Sequence, residues 1–360
     1  MTRPLRLVLV VLAGFAALAF AGSAFAAYTP RLLVSHGLGR LGQSAQTIIE
    51  YHQERTDEAL ARLTIYVPLG YGVSTSMAAG TQIGAAQATV QARAVSPDIF
   101  LPVTGTIQAD APATYAAQAT SCTGTATHQA VFVLVLQASG RELRVPIFVD
   151  PAAGGETAFA SFKMVICLPP PDIPEAAGGA AFGAKLVDAS LVFNAGVFTN
   201  PASANIYLWR GVATPWTNHK PPVNAAGTVE ARTAVALPVS ISLTARWDAK
   251  RRVARLSGRI TIPGVTFQGV ALPLFSGARP AVLKRSGSTS RTTRNGSFAA
   301  VRKIARATYF QVRIPPSVFE ATQDVCGLSP PVAPAGCVSG FLGLPQAQSP
   351  ARKVTPKRKK

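Results

Sequence analysis

Four cysteines carry the most definite chemistry in the sequence: Cys122, Cys167, Cys326 and Cys337. Cys326 and Cys337 enclose ten residues rich in proline and glycine, a composition that closes readily into a small loop, so we expect a disulfide between them. Cys122 then pairs with Cys167. Zinc binding is the alternative, and it has little support because the sequence has no CxxC pair and no histidine at ligand spacing from a cysteine.

Motifs for catalysis or cofactor binding are weak. Residues 37–42 match GxGxxG, with Asp57 further on, as in dinucleotide-binding folds, but no alternation of strand and helix follows. The sequence has no GxSxG motif, and its only adjacent carboxylates are Asp57 and Glu58. The four histidines are isolated from one another (His36, His52, His128 and His219). We therefore expect that the protein binds no cofactor and no metal and that it is not an enzyme. A secreted hydrolase with its site on loops of the first domain is the alternative.

Three aromatic residues raise a second alternative, a carbohydrate-binding protein. Tyr207 and Trp209 share one face of a strand-like segment, and Trp216 follows closely. Such rings can stack on sugars, but a β-sandwich core buries them equally well, and burial is the interpretation we favour. Exposed Tyr207 and Trp209 would reverse this preference.

The charged residues divide the chain into two unlike parts. Residues 27–236 contain 12 Lys and Arg against 13 Asp and Glu, whereas residues 237–360 contain 21 against 3. The basic C-terminal third implies attraction to a polyanion, for which an anionic cell-wall polymer or a membrane surface is the expected partner. The alternative is a solvated tail that only aids solubility. Specific nucleic-acid binding is not expected, because no aromatic residue is interleaved with the basic end. Six cations lie in the last nine residues (Arg352, Lys353, Lys357, Arg358, Lys359 and Lys360).

The elements that position these residues are predicted to be strands. Val239 to Trp247 and Leu256 to Ile262 alternate between apolar and polar residues, the period of a half-buried strand. Further strand segments follow at 270–275, 281–284, 298–301 and 309–314, with a turn at Asn295-Gly296. Four arginines fall on the outward period and predict a basic solvent face (Arg246, Arg255, Arg259 and Arg313).

The run LSGRITIPGVTFQGVALPLF, the turn TTRNGSF and the closing ATYFQVRI resemble the immunoglobulin-like and fibronectin-type-III-like modules of secreted actinobacterial proteins. The resemblance covers residues 237–315, less than a quarter of the chain. It implies a β-sandwich that serves as a spacer or adhesion unit without a catalytic set.

The first region is also predicted to be β-rich. Alternation at 61–67 and 143–149, an apolar run at 131–136 and a turn at Ser139-Gly140 indicate strands, followed by others at 159–166, 184–193 and 205–210. Residues 45–60 are interpreted as one helical interlude. We expect a jelly-roll-like sandwich here, so the chain as a whole is all-β with two sandwich domains.

The N-terminus has the order of a secretory signal peptide. Arg3 and Arg6 precede an apolar run to Ala21, and Ala24-Phe25-Ala26 fits signal peptidase, with a retained membrane anchor as the alternative. The predicted organisation is thus a signal peptide (1–26), a sandwich (27–219), a linker (220–236), an immunoglobulin-like sandwich (237–320), a disulfide loop (321–344) and a disordered basic tail (345–360). The expected function is that of an exported, non-enzymatic structural or adhesion-type protein, extracellular or associated with the cell envelope and held to anionic surfaces by its basic C-terminal third. The sequence does not identify a protein or carbohydrate ligand.

Overall fold

The computed structural model describes residues 28–95, 99–320 and 340–357. The fold is all-β, as predicted. Among the described residues, one α-helix, α1 (Ala116–Thr123), and five short 3-10 helices lie between the strands: Pro112–Tyr115, Gly154–Ala158, Glu175–Ala177, Ala181–Gly183 and Ala225–Gly227. Within these ranges, no helix has the length and apolar character needed to span a membrane. The predicted signal peptide lies outside the described residues.

The first region consists of thirteen strands in chain order, counted over the described residues. They are β1 (Arg31–His36), β2 (Ser44–His52), β3 (Leu60–Pro68), β4 (Gly72–Val73), β5 (Gln82–Ala92), β6 (Ile99–Asp110), β7 (Ala130–Ala138), β8 (Arg141–Pro151), β9 (Ala160–Cys167), β10 (Ala184–Thr199), β11 (Asn205–Thr217), β12 (Lys220–Val223) and β13 (Val229–Leu237). The strand patterns at 61–67, 131–136, 143–149, 159–166, 184–193 and 205–210 each correspond to one of them. Ser139 and Gly140 both have positive φ and form the predicted β7–β8 turn.

These strands belong to one continuous sheet rather than to the two separately bonded sheets of a jelly roll. Its order is β1-β2-β10-β5-β6-β7-β8-β9-β3-β11-β13, and it curls until β1 lies beside β13. There the Thr233 hydroxyl donates a hydrogen bond to the Leu32 carbonyl oxygen. The curled sheet therefore encloses one interior, which contains the larger hydrophobic core.

The second region contributes eight more strands, β14 to β19, β22 and β23, in two sheets of the described chain. They are β14 (Ser240–Asp248), β15 (Val253–Thr261), β16 (Ala271–Arg279), β17 (Val282–Arg291), β18 (Ser297–Lys303), β19 (Thr308–Ile314), β22 (Ala347–Gln348) and β23 (Arg352–Val354). One sheet has the order β14-β15-β18, and the other has β17-β16-β19 followed by β22 and β23, which both pair with β19. This is the strand arrangement of an immunoglobulin-like sandwich, and it confirms the predicted fold of this region.

The proposed linker at 220–236 is wrong, because these residues form β12 and β13. The inward face of β13 packs Val235 and Leu237 into the core of the curled sheet. Its outward face packs Ala234 and Ala236 into the core of the second sandwich. The same strand is therefore a wall shared by both cores, and its continuous apolar end reflects burial on two faces.

Two further boundaries also differ from the prediction. The segment predicted as a disulfide loop ends in β21 (Phe341–Leu344), which pairs in parallel with β13 and antiparallel with β20 (Ser317–Glu320). A Cβ at Gly343 would lie 1.9 Å from the Val34 carbonyl oxygen, so only glycine fits where β21 crosses β1. The predicted disordered tail is instead ordered through residue 357, because Ala347 and Val354 are buried in the second core. The helix predicted within 45–60 is wrong as well, since β2 and β3 occupy this segment.

Candidate polyanion-binding site

The GxGxxG segment forms the loop between β1 and β2 and does not lead into a helix. The Gly37 amide donates to the Gln46 carbonyl oxygen, and the Gly42 amide donates to the Pro201 carbonyl oxygen. A Cβ at Gly39 would lie 2.5 Å from Pro345 Cγ, so close packing accounts for this glycine. The loop offers none of the helix N-terminus geometry by which such a motif holds a pyrophosphate.

The four histidines are separated in space, and three of them have a carboxylate partner. The Nδ1 atoms of His52 and His128 lie 2.6 Å from carboxylate oxygens of Asp188 and Asp150, respectively. His219 accepts a hydrogen bond from the Ala59 amide and lies 3.3 Å from Glu58. Its pKa is lowered by burial and then by Arg93.

The fourth histidine, His36, is fully buried. Its ring nitrogens contact the hydroxyl groups of Thr47 at 3.1 Å and Tyr71 at 2.8 Å. Burial lowers the pKa of His36 to about 3. The ring is therefore neutral at physiological pH and serves as a polar element of the core.

Thr123, His128 and Asp150 are arranged like a hydroxyl–histidine–carboxylate catalytic triad, which the sequence did not reveal. The Thr123 hydroxyl lies 3.0 Å from His128 Nε2, while Asp150 lies on the other ring nitrogen. Thr123 is the last residue of α1, however, and a helix C-terminus presents carbonyl oxygens and negative partial charge. An oxyanion intermediate needs the opposite polarity. The His128 side chain is also only 3% exposed, so we interpret the trio as a brace between α1 and β8.

The adjacent carboxylates also brace loops. Asp57 accepts hydrogen bonds from the backbone amides of Glu54 at 3.0 Å and Thr29 at 3.2 Å. Glu58 accepts from the His219 amide at 2.9 Å. Nearby, the Lys185 ammonium donates to the carbonyl oxygens of Arg55 and Asp57, and burial lowers the pKa of this lysine to about 8. Because these groups are directed to backbone atoms, they do not face one another across a substrate-sized gap.

Two of the three aromatic residues proposed as a sugar platform are buried, and Trp216 is half-buried. Trp209 has no exposed surface and Tyr207 is 6% exposed, and both belong to the core of the curled sheet. The Trp216 indole donates a hydrogen bond to the Leu168 carbonyl oxygen. A sugar cannot stack on the rings of Tyr207 and Trp209, which the protein already covers, and this contradicts the carbohydrate-binding alternative at these two residues.

The disulfide between Cys122 and Cys167 is confirmed, with a Cα–Cα distance of 5.8 Å. It joins the end of α1 to the end of β9 on the outside of the curled sheet. Cys326 and Cys337 lie outside the described residues, so their pairing stays a prediction.

The outer face of β14, β15 and β18 concentrates positive charge. Arg246 lies directly opposite Arg255 in the β14–β15 pairing, and Arg259 lies four residues further along β15. The turn between these strands adds three consecutive exposed cations, and Lys303 lies opposite Val253 on β18. We call this set the cationic face: Arg246, Lys250, Arg251, Arg252, Arg255, Arg259 and Lys303. The three turn residues were missed because the alternation rule applies to strands and not to the turn that joins them.

One carboxylate, Asp248, lies on the cationic face as far as the described residues show. It accepts hydrogen bonds from the Arg251 amide at 3.0 Å and from Arg255 Nε at 2.7 Å, and these contacts lower its pKa, the backbone bond foremost. Arg259 donates to the Asn295 carbonyl oxygen at 2.7 Å, a bond that leaves its positive charge uncompensated. Most of the charge on the face is therefore available to an external anion.

Arg313, Arg352 and Lys353, three of the other predicted anion-binding residues, have partners outside this face. The Arg313 guanidinium lies 4.9 Å from the centre of the Phe275 ring in the other sheet and donates to Gln311. Arg352 donates to the Leu243 carbonyl oxygen at 3.0 Å, at the edge of β14, and Lys353 lies near the Tyr309 ring. Lys357 is exposed. The last three cations, Arg358, Lys359 and Lys360, lie outside the described residues.

Comparisons with known proteins do not identify a relative. No protein family and no curated protein matches the sequence. Among solved structures, the chain is similar to the full-length major pilin SpaD from Corynebacterium diphtheriae, with 10% identity, a TM-score of 0.28 and coverage of 79% of this chain and 56% of the pilin. It is also similar to red sea bream transglutaminase, with 10% identity, a TM-score of 0.17 and coverage of 96% and 33%. The chain thus matches little more than half of the pilin and a third of the transglutaminase, and TM-scores this low carry no argument about function.

Proposed function

We propose that the protein is exported and acts as a non-enzymatic module that binds an anionic polymer of the cell envelope through its cationic face. The observation that carries the proposal is the set of seven exposed cations with one carboxylate on a single sheet surface. Like charges directly opposite each other, as at Arg246 and Arg255, cost stability, and Asp248 compensates the charge of Arg255 but not that of Arg246. A polymer with repeated negative groups supplies anions along the whole face.

The chemistry of the face favours a polymer over a membrane. Its described residues include one exposed large apolar side chain, Val301, which is 54% exposed. Surfaces that bind membranes usually add large apolar or aromatic side chains that enter the lipid. The proposed export rests on the apolar leader and its cleavage motif.

The test compares two variants that lose the same charge. The first replaces Arg246, Arg255 and Arg259 with Ser, and the matched control replaces Arg279, Lys284 and Arg291 with Ser in the β16–β17 hairpin. Inorganic polyphosphate on beads is the polymer probe, titrated over a salt series. We expect the face variant to bind at least about tenfold more weakly and with a shallower salt dependence, because each lost contact removes about 1 kcal/mol near an anionic surface.

The outcomes distinguish binding at the cationic face from attraction by the overall positive charge of the protein. Equal losses in both variants, or no binding of the native chain, would overturn the proposal. Vesicles containing phosphatidylglycerol form the second arm. Binding to these vesicles that exceeds binding to polyphosphate would replace the polymer with a membrane surface.

A further inference from the structure

The curled sheet is filled at one end of its interior and empty at the other. At the filled end, aromatic side chains pack against one another, with Trp209 5.2 Å from Tyr71 and 5.9 Å from Phe198 between ring centres. Towards the other end lies a cavity of about 710 Å³. Its walls are largely aliphatic and include Leu63, Ile65, Leu134, Leu136, Ile166 and Leu191. Protein interiors rarely contain voids much larger than a water molecule, so a space of this size is a candidate binding site.

The cavity is partly open on one side. Val90, Leu143, Val145 and Leu186 line it and pack against the interior core, yet each keeps partial exposure to solvent. In the filled half, by contrast, Phe193 and Phe198 are completely buried. The open part of the cavity therefore lies at the end of the interior that these four residues line.

The entrance lies where β8 and β9 separate. Their pairing ends at Ile147 and Ile166, and the next residue of β8 is Pro146, which has no amide hydrogen to donate. Beyond this point both faces of β8 border the cavity, with Leu143 on the inside and Arg144 on the outside. The outer rim is formed by α1 and held to β9 by the disulfide between Cys122 and Cys167.

A loop from Leu168 to Gly183 covers the end of the interior. Its apolar residues, among them Pro170 and Phe182, line the cavity. On the outside, Asp172 pairs with Arg93 through two hydrogen bonds of 2.7 and 2.9 Å, and Glu175 pairs with Arg141 through two of 2.6 and 3.0 Å. These pairs hold the loop over an interior that it does not fill.

We propose that this cavity binds one long unbranched acyl chain, inserted through the entrance between β8 and β9. The lining is aliphatic, and the hydroxyl group of Tyr51, one of its polar atoms, is already bonded to Tyr28 and Gln53. An aliphatic lining favours the burial of an apolar ligand and offers few hydrogen-bond partners to a polar one. The polar end of the ligand remains at the entrance, where water and charged residues such as Glu142 and Arg144 lie. The source of the chain is a free fatty acid or the acyl tail of a phospholipid.

The test uses the fluorescence of dansyl-labelled undecanoic acid, with the chain from Ala27 onward, which contains every described residue. Ala88 and Ala189 face each other across β5 and β10 and both line the cavity. Ala88→Phe should fill the cavity and weaken binding at least about tenfold. Ala85→Phe, on the exposed face of the same strand, is the matched control and should bind as the native chain does. Unlabelled fatty acids should displace the probe about fourfold better for each added methylene until the cavity is full.

Thermal melting shows whether each variant is folded. If Ala88→Phe does not fold, Ala189→Val replaces it, and its smaller added volume should shorten the optimal fatty acid. A native chain that does not enhance the fluorescence, or a folded Ala88→Phe that binds normally, would overturn the proposal. Equal affinity for dansyl amide, which has no chain, would overturn it too. Vesicles with a fluorescent phospholipid identify the source: transfer to the protein indicates an acyl tail, and binding of fatty acid alone indicates the free acid.

Discussion

The two regions of this protein treat charge in opposite ways. In the curled sheet, cations and carboxylates are nearly balanced, and pairs such as Arg93 with Asp172 and Lys163 with Glu156 hold loops and strands in place. In the second sandwich, Arg255 with Asp248 is the one ion pair found among the described residues. The charge of the first region therefore contributes to its own structure, whereas the charge of the second is directed outward. This contrast is the reason to assign polyanion binding to the second region.

The two regions also differ in how their cores are completed. The core of the curled sheet is built from strands that follow one another from β1 to β13. The second core depends on the end of the chain, since Ala347 and Val354 are buried in it and the Ser349 hydroxyl accepts a hydrogen bond from the Val312 amide at 3.0 Å. Residues 345–357, the described part of the C-terminus, therefore hold the sandwich together and are not a free tail.

Deleting residues 345–360 should therefore have the largest effect on the comparison. We expect the free energy of unfolding of the second region to fall by at least about 4 kcal/mol, because buried side chains and strand hydrogen bonds are lost together. Removal of residues 358–360 alone is the control and should leave stability unchanged. Differential scanning calorimetry should show the second region melting earlier while the first retains its transition. If the first region shifts equally, the shared wall at β13 makes the two regions one cooperative unit.

The two regions should also differ in their response to acid, because no histidine follows His219 in the sequence. The folded pKa of His36, about 3, lies below its ordinary value of 6.5, so the unfolded chain binds the proton more strongly between these limits. The stability of the first region should thus fall as pH decreases through this window, by up to about 1.4 kcal/mol per pH unit. His219, whose pKa is also lowered, adds a smaller part of the slope.

Replacing His36 with Gln keeps hydrogen bonding to Thr47 and Tyr71 but removes the titrating group. We expect urea titrations from about pH 6 to about pH 4.5 to show a shallower slope in His36→Gln than in the native chain. Unfolding of the second region, followed by the fluorescence of Trp247 in a chain with Trp209 and Trp216 replaced by Phe, should show little slope in this range. An unchanged slope in His36→Gln would mean that other groups carry the acid sensitivity.

Strands could be predicted from the sequence where apolar and polar residues alternate regularly. The prediction was wrong where the pattern of buried residues does not follow this alternation. In β2 the buried residues Ala45, Thr47, Ile49 and Tyr51 have a period of two, but the neighbouring Ile48 and Ile49 imitate a helical face. The apolar end of β13 lay within a segment taken for a linker, since burial on both faces removes the alternation. β23 has one buried side chain, too little for any pattern.

The two candidate sites, the cationic face and the cavity, also differ in how far they could be predicted from the sequence. Arg246, Arg255 and Arg259 could be assigned to one face because strand periodicity fixes the direction of each side chain. The cavity could not be predicted, because it depends on how far the sheet curls and on the point at which β8 and β9 separate. Neither property follows from the residues of a single strand.

The smallest effect is expected from the variant Arg246→Glu, which tests whether the charge of the cationic face contributes to binding rather than to stability. Arg246→Glu places a carboxylate directly opposite Arg255, and opposite charges across a strand pair stabilise by about 0.5 kcal/mol. We expect this variant to be slightly more stable than the native chain by urea titration and to bind polyphosphate more weakly. Arg279→Glu, in the β16–β17 hairpin of the other sheet, changes the charge equally and should affect binding less. If Arg246→Glu loses stability instead, the arginine contributes to the fold, and the contrast between the regions would not hold at this position.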